Sequence, residues 1–294
     1  MSSDMLYKAT TLRKTALAFA SAMASICAIA TPFTYVDHWP SGSGDETATE
    51  VSVPLGVTAP IETADDVARV ARLTSISFAD STSKVRYTSS TPLTLAARLS
   101  GAGTFAAESS GNLTIASDNA GLVSPGCFFL SNMCVSVTSS HGLGAAGTGV
   151  CNYHFGGKVD PLHFSGPGLT NEAPIRVYQG TASANFVLGP DSASDTLVIS
   201  NNLIFTGGNG TKKIYFRNKI RFVGGTFGEK DYKHIYSDVT GGSAEVWFEN
   251  EAKIVCYFWY AVGAVTFHVG WSGFDTWAYN FSLWQGSPST LVAI

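Results

Sequence analysis

Charge is scarce in this sequence. Asp, Glu, Lys and Arg make up 14% of its 294 residues, against about a quarter in ordinary soluble domains. The formal net charge is only −4. That argues against nucleic acid as a main partner, because binding phosphate needs a basic surface. There are five cysteines and none forms a C-x2-C pair, so no zinc motif is present. No Asp cluster that would hold calcium is visible. No nucleophile elbow accompanies the six histidines, which leaves Ser-His-Asp catalysis without its signature. Helical periodicity is almost absent from the body of the chain. Without crossover helices, a doubly wound α/β sheet is excluded.

Hydrophobic residues nevertheless reach 45%, enough for a sizeable core. Gly, Ser, Thr and Asn take the place of charge, a composition typical of β-rich exported proteins. The N-terminus carries the three parts of an export signal in order. Residues 1–14 are polar and end in Arg13 and Lys14. Residues 15–30 (TALAFASAMASICAIA) are apolar and small, and close on Ala28-Ile29-Ala30. This run is too short to span a bilayer comfortably, so no integral membrane segment is expected once 1–30 is removed. Removal lowers the formal charge to −6, because Lys8, Arg13 and Lys14 leave together with Asp4. It also leaves four cysteines, Cys127, Cys134, Cys151 and Cys256. An even number in an exported chain suggests disulfides. Three connectivities are possible; the local choice is Cys127–Cys134, with Cys151–Cys256 closing a long loop, and buried thiols are the alternative.

Residues 31–60 are polar and rich in Gly, Ser and Thr, and read as a leader or linker. Thr63 followed by Asp66 forms a capping box. Val67, Val70, Ala71 and Leu73 continue at helical spacing, which predicts a short N-terminal helix over 64–73. From residue 75 the pattern becomes short apolar runs separated by Gly, Ser, Asn and Asp. Examples are SISFA (75–79), KVRYTS (84–89), NLTIAS (112–117), CFFLS (127–131) and CVSVTS (134–139). Comparable strands recur at roughly twenty residues, the period of a solenoid coil. The fold class is therefore all-β, with a parallel β-helix over 61–250 and a β-sandwich as the alternative. An aromatic-rich β cap occupies 251–294. Asn119 and Asn201 sit beside turns and fit two structural roles, hydrogen-bonded ladders between coils or left-handed turn residues.

The segments LSGAGTF, GNLTIASDNAGL and SPG between 99 and 126 resemble the passenger repeats of bacterial autotransporters. Similar phrases follow at 140–149, 162–175 and 196–208, so the resemblance covers about residues 75–225. It implies a right-handed parallel β-helix exported and displayed at the cell surface, outer-membrane-associated, or released. It implies no activity. The chain departs from the family in being too short to hold both a passenger and a membrane barrel.

Candidate chemistry is sparse, and no catalytic residue or cofactor is assigned. Residues 142–147 match G-x-G-x-x-G, but no helix follows and no dinucleotide site is read there. His154 and His163, with Asp160 between them, lack a compelling metal spacing. The basic run is sharper: residues 212–233 hold seven of the eighteen Lys and Arg residues. On a strand, Lys213, Tyr215, Arg217, Lys219 and Arg221 share one face and Ile214, Phe216, Ile220 and Phe222 the other. The basic face is either solvated surface or a site for acidic glycan. Between residues 253 and 284 aromatics crowd together, among them Trp259, Trp271 and Trp277. They would cap the solenoid end, bind glycan, or form a subunit contact. VCYFWYAVGAVTFHV, divided by Gly263, reads as a β-hairpin. The function expected is that of an exported structural or adhesive β-helix. A β-helical enzyme acting on acidic polysaccharide, or a glycan-binding module, is the alternative. Partners would be glycans, other cell-surface components or further copies of the chain.

Overall fold

Apolar side chains at alternate positions need a partner surface, and here the chain supplies it by coiling on itself. The computed structural model describes residues 32–43, 46–155, 162–179, 184–206, 212–229, 234–249, 252–255, 257–269 and 290–293. They form a β-solenoid of about seven turns with very little helix. Every strand pair described is parallel, which removes the sandwich alternative. The export signal at 1–30, Asp160, Cys256, Trp271 and Trp277 lie outside the described residues.

The chain opens with β1 (Phe33–Thr34), β2 (Glu50–Val53) and β3 (Thr58–Ile61), and then helix α1 (Ala64–Val70). The segment read as a leader, 31–60, thus contributes strands to the solenoid. Only EVSV and TAPI are strand-sized there, and polar composition hid them. In α1 the capping box is present in both directions between Thr63 and Asp66, and Val67 and Val70 are buried. Three-sided coils follow: β4 (Ser75–Phe78), β5 (Lys84–Tyr87) and β6 (Leu93–Leu95); β7 (Arg98–Gly101), β8 (Thr104–Ala107) and β9 (Asn112–Ile115); β10 (Gly121–Leu122), β11 (Cys127–Ser131) and β12 (Cys134–Val137). In each, the first strand lies on face A, the second on face B and the third on face C. In chain order α1 stands where a face C strand would otherwise come.

Next come β13 (Cys151–Phe155) and β14 (Leu162–Phe164), then β15 (Thr170–Asn171), β16 (Ile175–Gln179), β17 (Ala184–Leu188), β18 (Thr196–Ile199) and β19 (Leu203–Thr206). Further on, faces C and A fuse. The twelve-residue β20 (Lys212–Val223) pairs with β17 through its first half and with β18 through its second. The pairing shifts between Phe216 and Asn218, where Asn218 takes a left-handed φ of 55°. Asn tolerates that region better than most residues, and its side-chain amide donates to the Pro190 carbonyl of the previous coil at 2.8 Å. β21 (Thr226–Glu229), β22 (His234–Glu249), β23 (Lys253–Val255), β24 (Tyr257–Val269) and β25 (Thr290–Ala293) complete the stack. β24 is one strand parallel to β22, not the hairpin expected from Gly263. A glycine between two apolar halves marks a corner as readily as a reversal.

Coil length is variable. Lys84 pairs with Thr104, twenty residues on, and Ile175 with Leu203, twenty-eight on. The interior is nevertheless in strict register. On face B, Tyr87, Ala107, Leu130, Tyr153, Val177 and Phe205 form one column, all buried. On face C, Leu95, Ile115, Val137 and Phe164 form another. Alternation sends one side inward on every strand, and stacking lets each inward side chain pack on its counterpart in the next coil.

The N-terminal end is closed. Trp39 is fully buried, its ring 5.0 Å from that of Tyr35. Its indole N–H donates to the Pro60 carbonyl on edge strand β3 at 2.6 Å. Arg69 and Arg72, in and just beyond α1, donate to the carbonyls of Trp39 and Pro40. Pro60 carries no N–H, so the edge offers fewer groups for another strand to join.

Candidate functional site

A solenoid presents its outward side chains in columns, so candidate sites are found by following the register across coils. The basic strand comes first. Ile214, Phe216, Ile220 and Phe222 are buried, as alternation predicts. The opposite positions do not form one flat basic face, because β20 turns the corner at Arg217–Asn218. Lys213 lies on the half that pairs with β17, and Lys219 and Arg221 on the half that pairs with β18. The charges are also engaged. Arg221 donates to both oxygens of Glu249, with Nε to Oε1 at 2.8 Å. This hydrogen bond lowers the Glu249 carboxyl and raises the guanidinium. The ammonium of Lys219 lies 5.1 Å from the ring centre of Trp247, a cation–π contact. Trp247 also stacks on His268 at 3.8 Å and 11°.

Arg217 belongs to a polar cluster built from separate coils. Its Nη2 lies 2.9 Å from Asp191 Oδ1 and 2.6 Å from His163 Nε2, and the last two atoms are 2.7 Å apart. Gly189 permits this approach. With φ at 138°, a Cβ on it would fall 1.8 Å from the Arg217 carbonyl oxygen. A second cluster sits at the corner after β12, where His141 lies between Asp118 at 3.5 Å and Glu172 at 3.4 Å. There the G-x-G-x-x-G segment is a tight loop with Leu143 buried. His141 takes over the face A ladder, accepting from the Asn119 amide and donating its own amide to Thr170. His154 and His163 stand on faces B and C and do not converge. Among the described residues no group of His, Cys, Asp and Glu is arranged to hold a metal.

The cysteines correct an expectation. Cys127 and Cys151 are free thiols, so neither the local Cys127–Cys134 bridge nor Cys151–Cys256 is formed. Cys127 opens a face B strand and Cys134 a face C strand, with the left-handed Asn132 between them. Cys151 points into the core, and burial raises its thiol far above the ordinary range.

Face B carries an outward feature that alternation alone could not reveal. Phe129 lies 4.9 Å from His154, and His154 stacks on Tyr178 at 4.6 Å and 29°. The guanidinium of Arg176 lies 6.0 Å from the Tyr178 ring centre. Three aromatic rings from three coils thus meet on the outward side, His154 and Tyr178 in register and Phe129 diagonal to His154. In sequence they are twenty-five and twenty-four residues apart, and only the register brings them together. On its other side Phe129 faces Ala106 of the preceding coil. There the ring borders a groove of about 290 Å³, also lined by Ser81, Lys84, Thr104, Glu108 and Cys127.

The chain matches no protein-family model, no curated protein and no solved structure. Among the described residues no helix is long and apolar enough to cross a membrane.

Proposed function

We propose that this protein is an exported β-helix acting as a structural or adhesive element at the cell surface or outside the cell. The observation that carries the reading is the outward row of Phe129, His154 and Tyr178, from three successive coils, on one parallel sheet. A row continued coil by coil suits an extended partner, and aromatic rings are effective contact groups at such surfaces. The export signature at 1–30, the low charge and the passenger-like cadence of the repeats support the location. Fractionation of cells expressing the intact chain, with N-terminal sequencing, tests it. Protein at the surface or in the medium that begins at Thr31 is expected. An uncleaved chain retained in the cytosol would overturn the reading.

The alternative, a β-helical enzyme acting on acidic polysaccharide, draws on the cluster of Arg217, His163 and Asp191. Turnover of uronate polymers, abolished by Arg217→Ala, would favour it.

A further inference from the structure

We propose that the face B groove beside Phe129 binds a glycan bearing an acidic sugar. This deepens the adhesive reading and rests on it. Four features of the groove point to that chemistry.

The first is an aromatic platform. Phe129 is paired in register with Ala106 on one side and Asn152 on the other. His154 covers part of the ring from the Asn152 side. Toward Ala106 no second ring meets it among the described residues, and that side borders the groove. An aromatic face left open beside polar groups suits the C–H face of a sugar ring.

The second is a cation without a carboxylate. Lys84 lines the groove and has no ion-pair partner among the described residues. The neighbouring Arg86 does: its Nε and Nη2 both donate to Glu108 Oε2, at 3.1 and 2.9 Å. Lys84 is thus the cation available to an incoming acid.

The third is an acceptor held ready. Both Arg86 bonds go to Oε2, and among the described residues nothing takes Glu108 Oε1, which keeps its lone pairs for a sugar hydroxyl. The Arg86 guanidinium balances the charge and fixes the carboxylate, so Glu108 does not repel an acidic ligand as an isolated anion would.

The fourth is a rigid wall. The turn at 80–83 is pinned by Asp80, whose Oδ1 accepts from the Thr82 amide at 2.9 Å, the Thr82 hydroxyl at 2.8 Å and the Ser83 amide at 3.1 Å. The Thr82 hydroxyl in turn accepts the Gly56 amide of the previous coil at 2.8 Å. A preformed wall spares a ligand the cost of ordering it. Together the groove offers one apolar platform, one cation without an ion-pair partner among the described residues, an arginine-paired carboxylate and hydroxyl groups. A carboxylated sugar presents the complementary set.

Isothermal titration calorimetry at low salt, with hexagalacturonate and maltohexaose as probes, tests this on the intact chain. Hexagalacturonate is expected to bind more tightly than maltohexaose. Lys84→Gln should weaken the acidic hexamer about tenfold or more, as losing a charged hydrogen-bond partner does, and leave maltohexaose unchanged. Phe129→Ala should weaken both probes. Arg98→Gln, on face A, should weaken neither, and circular dichroism should show each variant folded. Absence of heat with either hexamer overturns the groove, as does binding indifferent to both Lys84→Gln and Phe129→Ala. An exported protein that binds neither hexamer loses this site but keeps its surface role. A chain retained in the cytosol overturns the surface role whatever its affinity for sugars.

Discussion

The side-chain oxygen of Asn119 accepts the backbone amide of Leu99, one coil earlier, at 2.8 Å. Its side-chain nitrogen donates to the Gly142 carbonyl, one coil later, at 2.6 Å. Asn119 is fully buried, and its own amide donates to the His141 carbonyl. One side chain therefore joins three coils at the corner leading into face A. Asn201 does similar work farther along, donating to the Glu172 carbonyl of the previous coil at 3.0 Å.

Replacing Asn119 by Ala leaves the Leu99 amide and the Gly142 carbonyl buried without partners. Each orphan costs about 1–3 kcal/mol, so a loss of about 2–6 kcal/mol is expected in urea denaturation. Asn119→Asp should be no better, because a carboxylate cannot donate to Gly142 and would carry charge into the core. A loss well below 1 kcal/mol for the alanine variant would contradict the bridging role.

Phe222 stacks on Phe248 of the next coil at 5.1 Å and 7°, and tilts against Phe227 at 4.6 Å. Phe222→Ala should cost about 3–5 kcal/mol, as large-to-small core substitutions do. A solenoid coil contacts only its neighbours, so the damage should be local. Hydrogen exchange should rise in β20 and β22 while β5 and β8 keep their protection. Uniform loss of protection along the whole stack would show that the coils do not behave as nearest-neighbour units.

The N-terminal cap should respond to pH. His38 Nε2 lies 2.6 Å from Glu46 Oε1, and Glu46 Oε2 accepts the Ser41 amide at 2.9 Å. The bond to Glu46, followed by that to Asp37, raises His38 above its ordinary 6.5. The His38 contact and the Ser41 amide lower Glu46 from 4.5 to about 2. The His38 contribution is complete below 6.5 and is lost as pH rises through the raised value. The Glu46 contribution is complete above 4.5 and is lost as pH falls toward 2. The cap should therefore hold best between these limits. Amide exchange at Ser41 and Gly42 should speed up in alkaline solution, beyond the intrinsic pH effect, and Glu46→Gln should remove that excess. His38 is exposed and Glu46 only half-buried, so salt should weaken the effect.

The melting temperature should not depend on reductant through Cys127 or Cys151. Burial raises both thiols, which keeps them protonated and slow to react. Thiol-specific labelling of the folded protein should reach Cys151 only after unfolding. A mass shift showing either residue oxidised in the folded protein would contradict this.

How much of this was legible can be judged from particular stretches. CFFLS at 127–131 coincides with β11, and NLTIAS and CVSVTS hold β9 and β12, because alternation and flanking turn residues mark a strand locally. The capping box of Thr63 and Asp66 marked α1 for the same reason. LTLAARL at 93–99 has the look of one strand but is divided between β6 and β7, with the corner at Ala96 and Ala97. Alanine is compatible with strand and corner alike, and only stacking against the neighbouring coils decides. β10 and β15 are two residues each, below the length at which any periodicity exists.

The sequence by itself determined the side of each strand that faces inward, the all-β class and the coil-like cadence. These depend on neighbours one to four residues apart. Only the tertiary structure decided which residues meet. Phe129 meets His154 and His154 meets Tyr178, Arg217 joins His163 and Asp191, and Lys84 shares a groove with Phe129. Each of these contacts crosses a coil of twenty to twenty-eight residues or several coils. Parallel register over such distances is set by how the inward columns pack and where the corners fall. A one-residue difference in a loop would leave the local pattern unchanged and send a different side chain to each outward position.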